Sequence, residues 1–170
     1  MSTMRTRRTF GHATAAVVTA IAVVAGGCGV EPSDVEDGGE APTGLAEGTT
    51  LYFVDAEGQL QPSIRETGRL GSIGGAVQLL ISGISRTEQA AGLHSDVPVV
   101  TTGPVVEDAG NYVTIRLPYA SAETTRTGID QVICTAAAVV ASSGRPTDSV
   151  EISVRLTSGE DFDHACPVVG

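Results

Sequence analysis

Ile73-Gly74-Gly75-Ala76-Val77-Gln78-Leu79-Leu80-Ile81-Ser82-Gly83-Ile84 is the stretch from which the architecture follows. Its apolar residues Ile73, Ala76, Val77, Leu80, Ile81 and Ile84 recur at the i, i+3, i+4, i+7 spacing that places them on one face of an α-helix. Gly83 falls near the end, where glycine takes the left-handed conformation that closes a helix. A second run has the same character. Thr127-x-x-Asp130 is expected to open a helix whose inward positions are Ile129, Val132, Ile133, Ala136, Ala137 and Val140. Two helices, each with a single apolar face, need a common layer on which to bury it.

The flanking segments supply that layer. Leu51-Tyr52-Phe53-Val54 is a short apolar run ended by the turn cluster Asp55-Ala56-Glu57-Gly58 and reads as a buried strand. Leu60 to Arg65 is its extended partner, and Pro62 places that partner at an edge or a bulge. Ser85-Arg86-Thr87-Glu88 has the form of a capping box and predicts a short helix from about Arg86, stopped by Gly92. Val97 to Val106 and Tyr112 to Leu117 flank a turn-rich segment and predict a hairpin with one wet face. Val150, Ile152, Val154 and Leu156 alternate with polar residues, the clearest strand of the chain. The predicted fold is α+β: a two-layer sandwich in which a small, mostly antiparallel sheet carries two main helices on one face.

The 170 residues include a 27-residue segment with the layout of an export signal: Arg5, Arg7 and Arg8, an apolar run from Ala15 to Ala25, then small residues. Val24-Ala25-Gly26-Gly27-Cys28 resembles a bacterial lipobox, which implies a diacylglycerol on Cys28 and attachment to the membrane. Thr6-Arg7-Arg8-Thr9-Phe10 also resembles a twin-arginine export signal. Residues 28–49 are rich in Gly, Pro and acids and read as a flexible linker, with a reach of roughly 25 Å for a coil of that length. The expected organisation is thus signal 1–27, linker 28–49, globular domain 50–157 and tail 158–170, in an extracytoplasmic, lipid-anchored protein.

Every basic residue is Arg. Past the signal, seven Arg stand against twenty acids, a charge of −13, which argues against nucleic acid as a partner because phosphate binding draws on clustered cations. Aromatic residues make up 4% of the chain and Trp is absent, so the core is expected to be aliphatic.

Tyr52-Phe53-Val54-Asp55, Leu60-x-Pro62-x-x-Arg65, Leu79-Leu80-x-x-Gly83, Ser85-x-x-Glu88-x-x-x-Gly92-Leu93 and the final helix–strand pair resemble, in order and spacing, the GerMN domain of sporulation and germination proteins and of actinobacterial lipoproteins. The resemblance covers about residues 50–157, with Ile84 standing where the family has Pro. It implies an extracytoplasmic interaction or assembly domain with an envelope protein as partner, and it brings no catalytic residues.

The candidate chemistry is sparse. With Cys28 lipidated, Cys134 and Cys166 remain, and an even pair in an oxidising compartment favours a disulfide over reactive thiols. Glu160, Asp161, Asp163, His164 and Cys166 suggest metal ligands, but their spacing fits neither a zinc site nor an EF-hand, so a solvated acidic tail is expected and no metal or cofactor. Gly68 to Gly75 lacks the fixed pattern of a phosphate or dinucleotide loop, and Ser72 lacks a nucleophile-elbow context. Arg65 is the candidate binding residue: on an exposed edge strand it makes either an ordinary ion pair or a carboxylate-recognising contact. Two functions compete, a noncatalytic protein-interaction lipoprotein and a solute- or metal-binding surface lipoprotein.

Overall fold

The computed structural model describes residues 48–68 and 71–169. The segment expected to be an export signal, Cys28 and nearly all of the expected linker lie outside them. The chain forms β1 (Thr49–Val54), β2 (Leu60–Arg65), α1 (Ile73–Ile81), α2 (Arg86–Ala90), β3 (Val105–Asp108), β4 (Tyr112–Arg116), α3 (Arg126–Ser142), β5 (Glu151–Arg155) and β6 (Asp161–Asp163). The fold is α+β, with helices packed on sheets. α1 and α3 lie against each other; α3 covers β1 and β5, and α1 covers β1 and β3. One apolar cluster runs through all of these elements, with Phe53, Val77, Leu80, Ile115, Ile133 and Val154 essentially excluded from water.

The β-layer consists of two sheets rather than one. β1 and β2 form an antiparallel pair, and β3-β4-β5-β6 form a four-stranded sheet in that order. Within it β3–β4 and β5–β6 are antiparallel, while β4 and β5 run parallel. A parallel pair needs a crossover, and α3 is that crossover, making β4-α3-β5 a βαβ unit.

α1 is capped by Ser72, whose side chain accepts from the Gly75 N–H, and Gly83 follows its end at φ 104°. The capping box at Ser85 and Glu88 is complete. α3 starts earlier than expected. Thr125, not Thr127, is the N-cap, accepting from Gly128 N–H at 3.0 Å. The segment from Val97 forms no strand until Val105. Pro98 and Pro104 lack N–H donors, and the chain instead fastens α1 through Val100 N–H to the Ile81 carbonyl at 3.1 Å. Two boundaries also move. β1 opens at Thr49, inside the expected linker, and β6 lies in the segment expected to be a loose tail.

Candidate functional site

Arg65 is not an exposed edge residue. β2 turns it inward, where it is 15% exposed and Glu88 is 3% exposed. Arg65 Nε donates to Glu88 Oε1 at 2.8 Å and Nη2 to Oε2 at 2.5 Å, a bidentate pair. Nη1 reaches the Leu79 carbonyl at 3.2 Å and Nη2 the Gly83 carbonyl at 2.8 Å. The guanidinium also sits 5.4 Å from the centre of the Phe53 ring. Glu88 accepts further from Ser63 Oγ at 3.1 Å and Ser85 N–H at 2.7 Å. Burial pushes its carboxyl up, but the hydrogen bonds from Arg65 and Ser85 more than offset this and hold its pKa at about 2. Arg65, Gly83, Ser85 and Glu88, four of the residues that carry the family resemblance, thus meet in one buried polar knot joining β2, the end of α1 and α2. The geometry gives the ion-pair reading of Arg65 and leaves it little to offer an external carboxylate.

The inner edge of β1 is closed by side chains instead of by a strand. Tyr52 N–H donates to Thr135 Oγ1 at 3.1 Å, and the Tyr52 carbonyl accepts from Gln131 Nε2 at 2.9 Å. Gln131 Oε1 also accepts from Asp96 N–H at 2.8 Å. Two residues further along β1, Val54 exchanges backbone hydrogen bonds with His94 at 2.8 and 2.9 Å. Gln131 and Thr135 are fully buried and were missed at the sequence level. Their signal was spacing: four residues apart on α3, they stack on one face and address the same neighbour.

The C-terminal segment is fastened at four points. Cys134 and Cys166 form a disulfide, with sulfurs 2.00 Å and Cα atoms 4.8 Å apart. His164 Nε2 lies 2.5 Å from Asp130 Oδ1. β6 pairs with β5, and Arg155 stands 3.2 Å from Asp161. Glu160 accepts from Ser121 Oγ at 2.9 Å. The residues that suggested a metal cluster are therefore distributed over separate partners. Among the described residues no group of three or more His, Cys, Asp and Glu side chains is placed to hold a metal ion. Of the glycine-rich segment, Ser72 serves as the cap of α1, and Arg69 and Leu70 lie outside the described residues.

Two clefts remain. One, about 540 Å³, runs between the C-terminal segment and the start of β5, with Asp148, Glu151, Asp163 and His164 on its rim. The other, about 430 Å³, lies beside β3 between the first turn of α1 and the last turn of α3. Compared with family models, with curated proteins and with solved structures, the chain gives no match.

The strand edges differ in what they offer. Because Tyr52 directs its backbone groups to α3, Pro62 opposite it on β2 faces outward, so that edge lacks its central donor. On β3, the Ala109 N–H bond to the Tyr112 carbonyl sets the phase of the hairpin. Val105 and Glu107 then bond β4, and both backbone groups of Val106 and Asp108 point away from it. No described residue pairs with them.

Proposed function

We propose that this is a noncatalytic cell-envelope lipoprotein, anchored through Cys28, whose folded part is a GerMN-like protein-interaction or assembly domain. The observation that carries the reading is the direction of the polar side chains. Arg65, Glu88, Gln131 and Thr135 face inward as structural ties, while the backbone edge of β3 is left open to the outside. Such a surface recognises another protein through its main chain. The test is crosslinking in intact cells followed by purification from the envelope fraction. Specific protein partners support the reading, and their absence under conditions that retain known envelope complexes overturns it.

The second reading, a solute- or metal-binding lipoprotein, draws on the cleft edged by Asp148, Glu151, Asp163 and His164. A rise in melting temperature with divalent cations or small amines would favour it over the first.

A further inference from the structure

Resting on the interaction reading just given, we infer that the cleft beside the C-terminal segment receives a Lys or Arg residue from an extended segment of a partner protein. The main-chain carbonyl of that residue would meet the Ile152 N–H, its aliphatic stem the apolar lining, and its cationic head the carboxylates of Asp148, Glu151 and Asp163.

The backbone supplies the first point of contact. β5 pairs with β4 over Glu151–Arg155 but with β6 only over Ser153–Arg155, because past Asp163 the chain leaves the sheet for α3, where His164 meets Asp130 and Cys166 meets Cys134. The Glu151 N–H bonds the Asn111 carbonyl at 2.9 Å, so the next N–H, that of Ile152, points the opposite way, toward the cleft. Ile152 is 7% exposed, and its N–H has no acceptor among the described residues. Buried backbone donors are nearly always paired, so this one marks the place of an acceptor that the described residues do not provide.

Charge supplies the second. Glu88, Glu107, Asp108, Asp130 and Asp161 each have an Arg or a His beside them. Asp148, Glu151 and Asp163 are exposed at the cleft, and their carboxylates have neither an ion-pair nor a hydrogen-bond partner among the described residues. His164, the basic residue at the rim, is turned to Asp130 at 2.5 Å.

The lining narrows the class of occupant. Ala137, Ile152 and Cys166 face the cleft of about 540 Å³ and are nearly buried, an apolar surface that suits the methylene stem of a long basic side chain. A metal ion makes no use of such a surface, and no three His, Cys, Asp or Glu side chains among the described residues are placed to hold one. A free amino acid would bring its own carboxylate among three acids, and like charges set together are unfavourable. A residue in amide linkage carries no such charge and offers the neutral carbonyl that the Ile152 N–H lacks.

The test is an NMR titration of the full chain in detergent micelles with acetyl-Val-Lys-Val-methylamide, read at the Ile152 amide. A saturable shift of that amide is expected. Asp148→Asn and Glu151→Gln should each weaken binding about threefold, the worth of an exposed ion pair. Norleucine in place of the probe's Lys keeps the stem, removes the charge and should weaken binding by more than either substitution; this arm needs no variant of the protein. No shift at Ile152, equal binding of the norleucine probe, or binding unchanged by both substitutions overturns the inference. Tighter binding of free lysine or of calcium chloride at the same amide also overturns it, in favour of the second reading. If the titration fails while specific crosslinks from intact cells persist, the site falls and the interaction reading stands; absence of the crosslinks overturns both.

Discussion

Glu88 receives four hydrogen bonds through its carboxylate while nearly excluded from water, and its value to the fold depends on their being made together. Removing one partner of a buried pair leaves the other charge uncompensated. Glu88→Ala should therefore destabilise the domain by about 3 kcal/mol, measured by urea unfolding at pH 7. The same residue sets an acid limit. Its folded pKa of about 2 lies below the ordinary value of 4.5. As pH falls below about 4.5, the unfolded chain binds the proton first and stability declines, until the folded form titrates near 2. The shift corresponds to about 3 kcal/mol across that window. In Glu88→Gln the fall between pH 5 and pH 2 should be smaller by that amount; an unchanged pH profile would show that Glu88 does not carry it. A second residue-scale tie is Gln131. Gln131→Leu leaves the Tyr52 carbonyl and the Asp96 N–H without their side-chain partner, and a loss of about 1–3 kcal/mol is expected on unfolding.

At the scale of elements, the C-terminal segment is short of secondary structure, and β6 has three residues. Its attachment rests largely on the disulfide, which spans 32 residues of sequence; the chain-entropy model gives roughly 3–4 kcal/mol for closing such a loop. Reduction, or Cys134→Ala with Cys166→Ala, should lower stability by about that amount. Amide exchange should also rise sooner at 161–163 than at 152–154. Equal exchange in the two segments would mean that β6 holds without the bridge.

These elements also show what a sequence can and cannot display. α1, the capping box at Ser85 and the alternation of Ile152 and Val154 were legible because each is a local pattern with a fixed period. The division into two sheets was not. It depends on Gln131 and Thr135, distant in sequence, occupying hydrogen-bonding positions that a strand would otherwise take. An ion pair was one of the two readings of Arg65, but its partner Glu88, read as part of the capping box, and the burial of the pair were not legible, because they bring together residues far apart in sequence. The parallel β4–β5 pair was foreshadowed by the order strand, helix, strand, which permits a crossover without requiring one.

For the whole molecule, the charge distribution bears on how it would be held at a membrane. Beyond residue 27, seven Arg face twenty acids, so an anionic lipid surface repels this part of the chain, and electrostatic adsorption does not retain it. In the proposed reading, attachment comes from acyl chains, each buried CH₂ contributing about 0.8 kcal/mol. The proposed lipid on Cys28 therefore predicts a specific pair of results. The full chain should stay in the membrane pellet through a high-salt wash, because salt weakens charge contacts and leaves hydrocarbon burial intact. Cys28→Ser should appear in the soluble fraction, and should move from the detergent phase to the aqueous phase on detergent phase partitioning. If Cys28→Ser still pellets with membranes and resists salt, attachment comes from somewhere other than Cys28. With the proposed anchor in place, and residues 28–49 acting as the coil expected from their composition, a reach of roughly 25 Å would separate the domain from the bilayer while confining it nearby. Confinement raises the effective concentration of the β3 edge toward other membrane-held proteins, so a strand contact too weak to persist between free molecules can be occupied there. Cys28→Ser should then lower the yield of specific envelope-protein crosslinks in intact cells without altering the melting temperature of the domain. A change in the melting temperature instead would place the effect of Cys28 on folding and not on location.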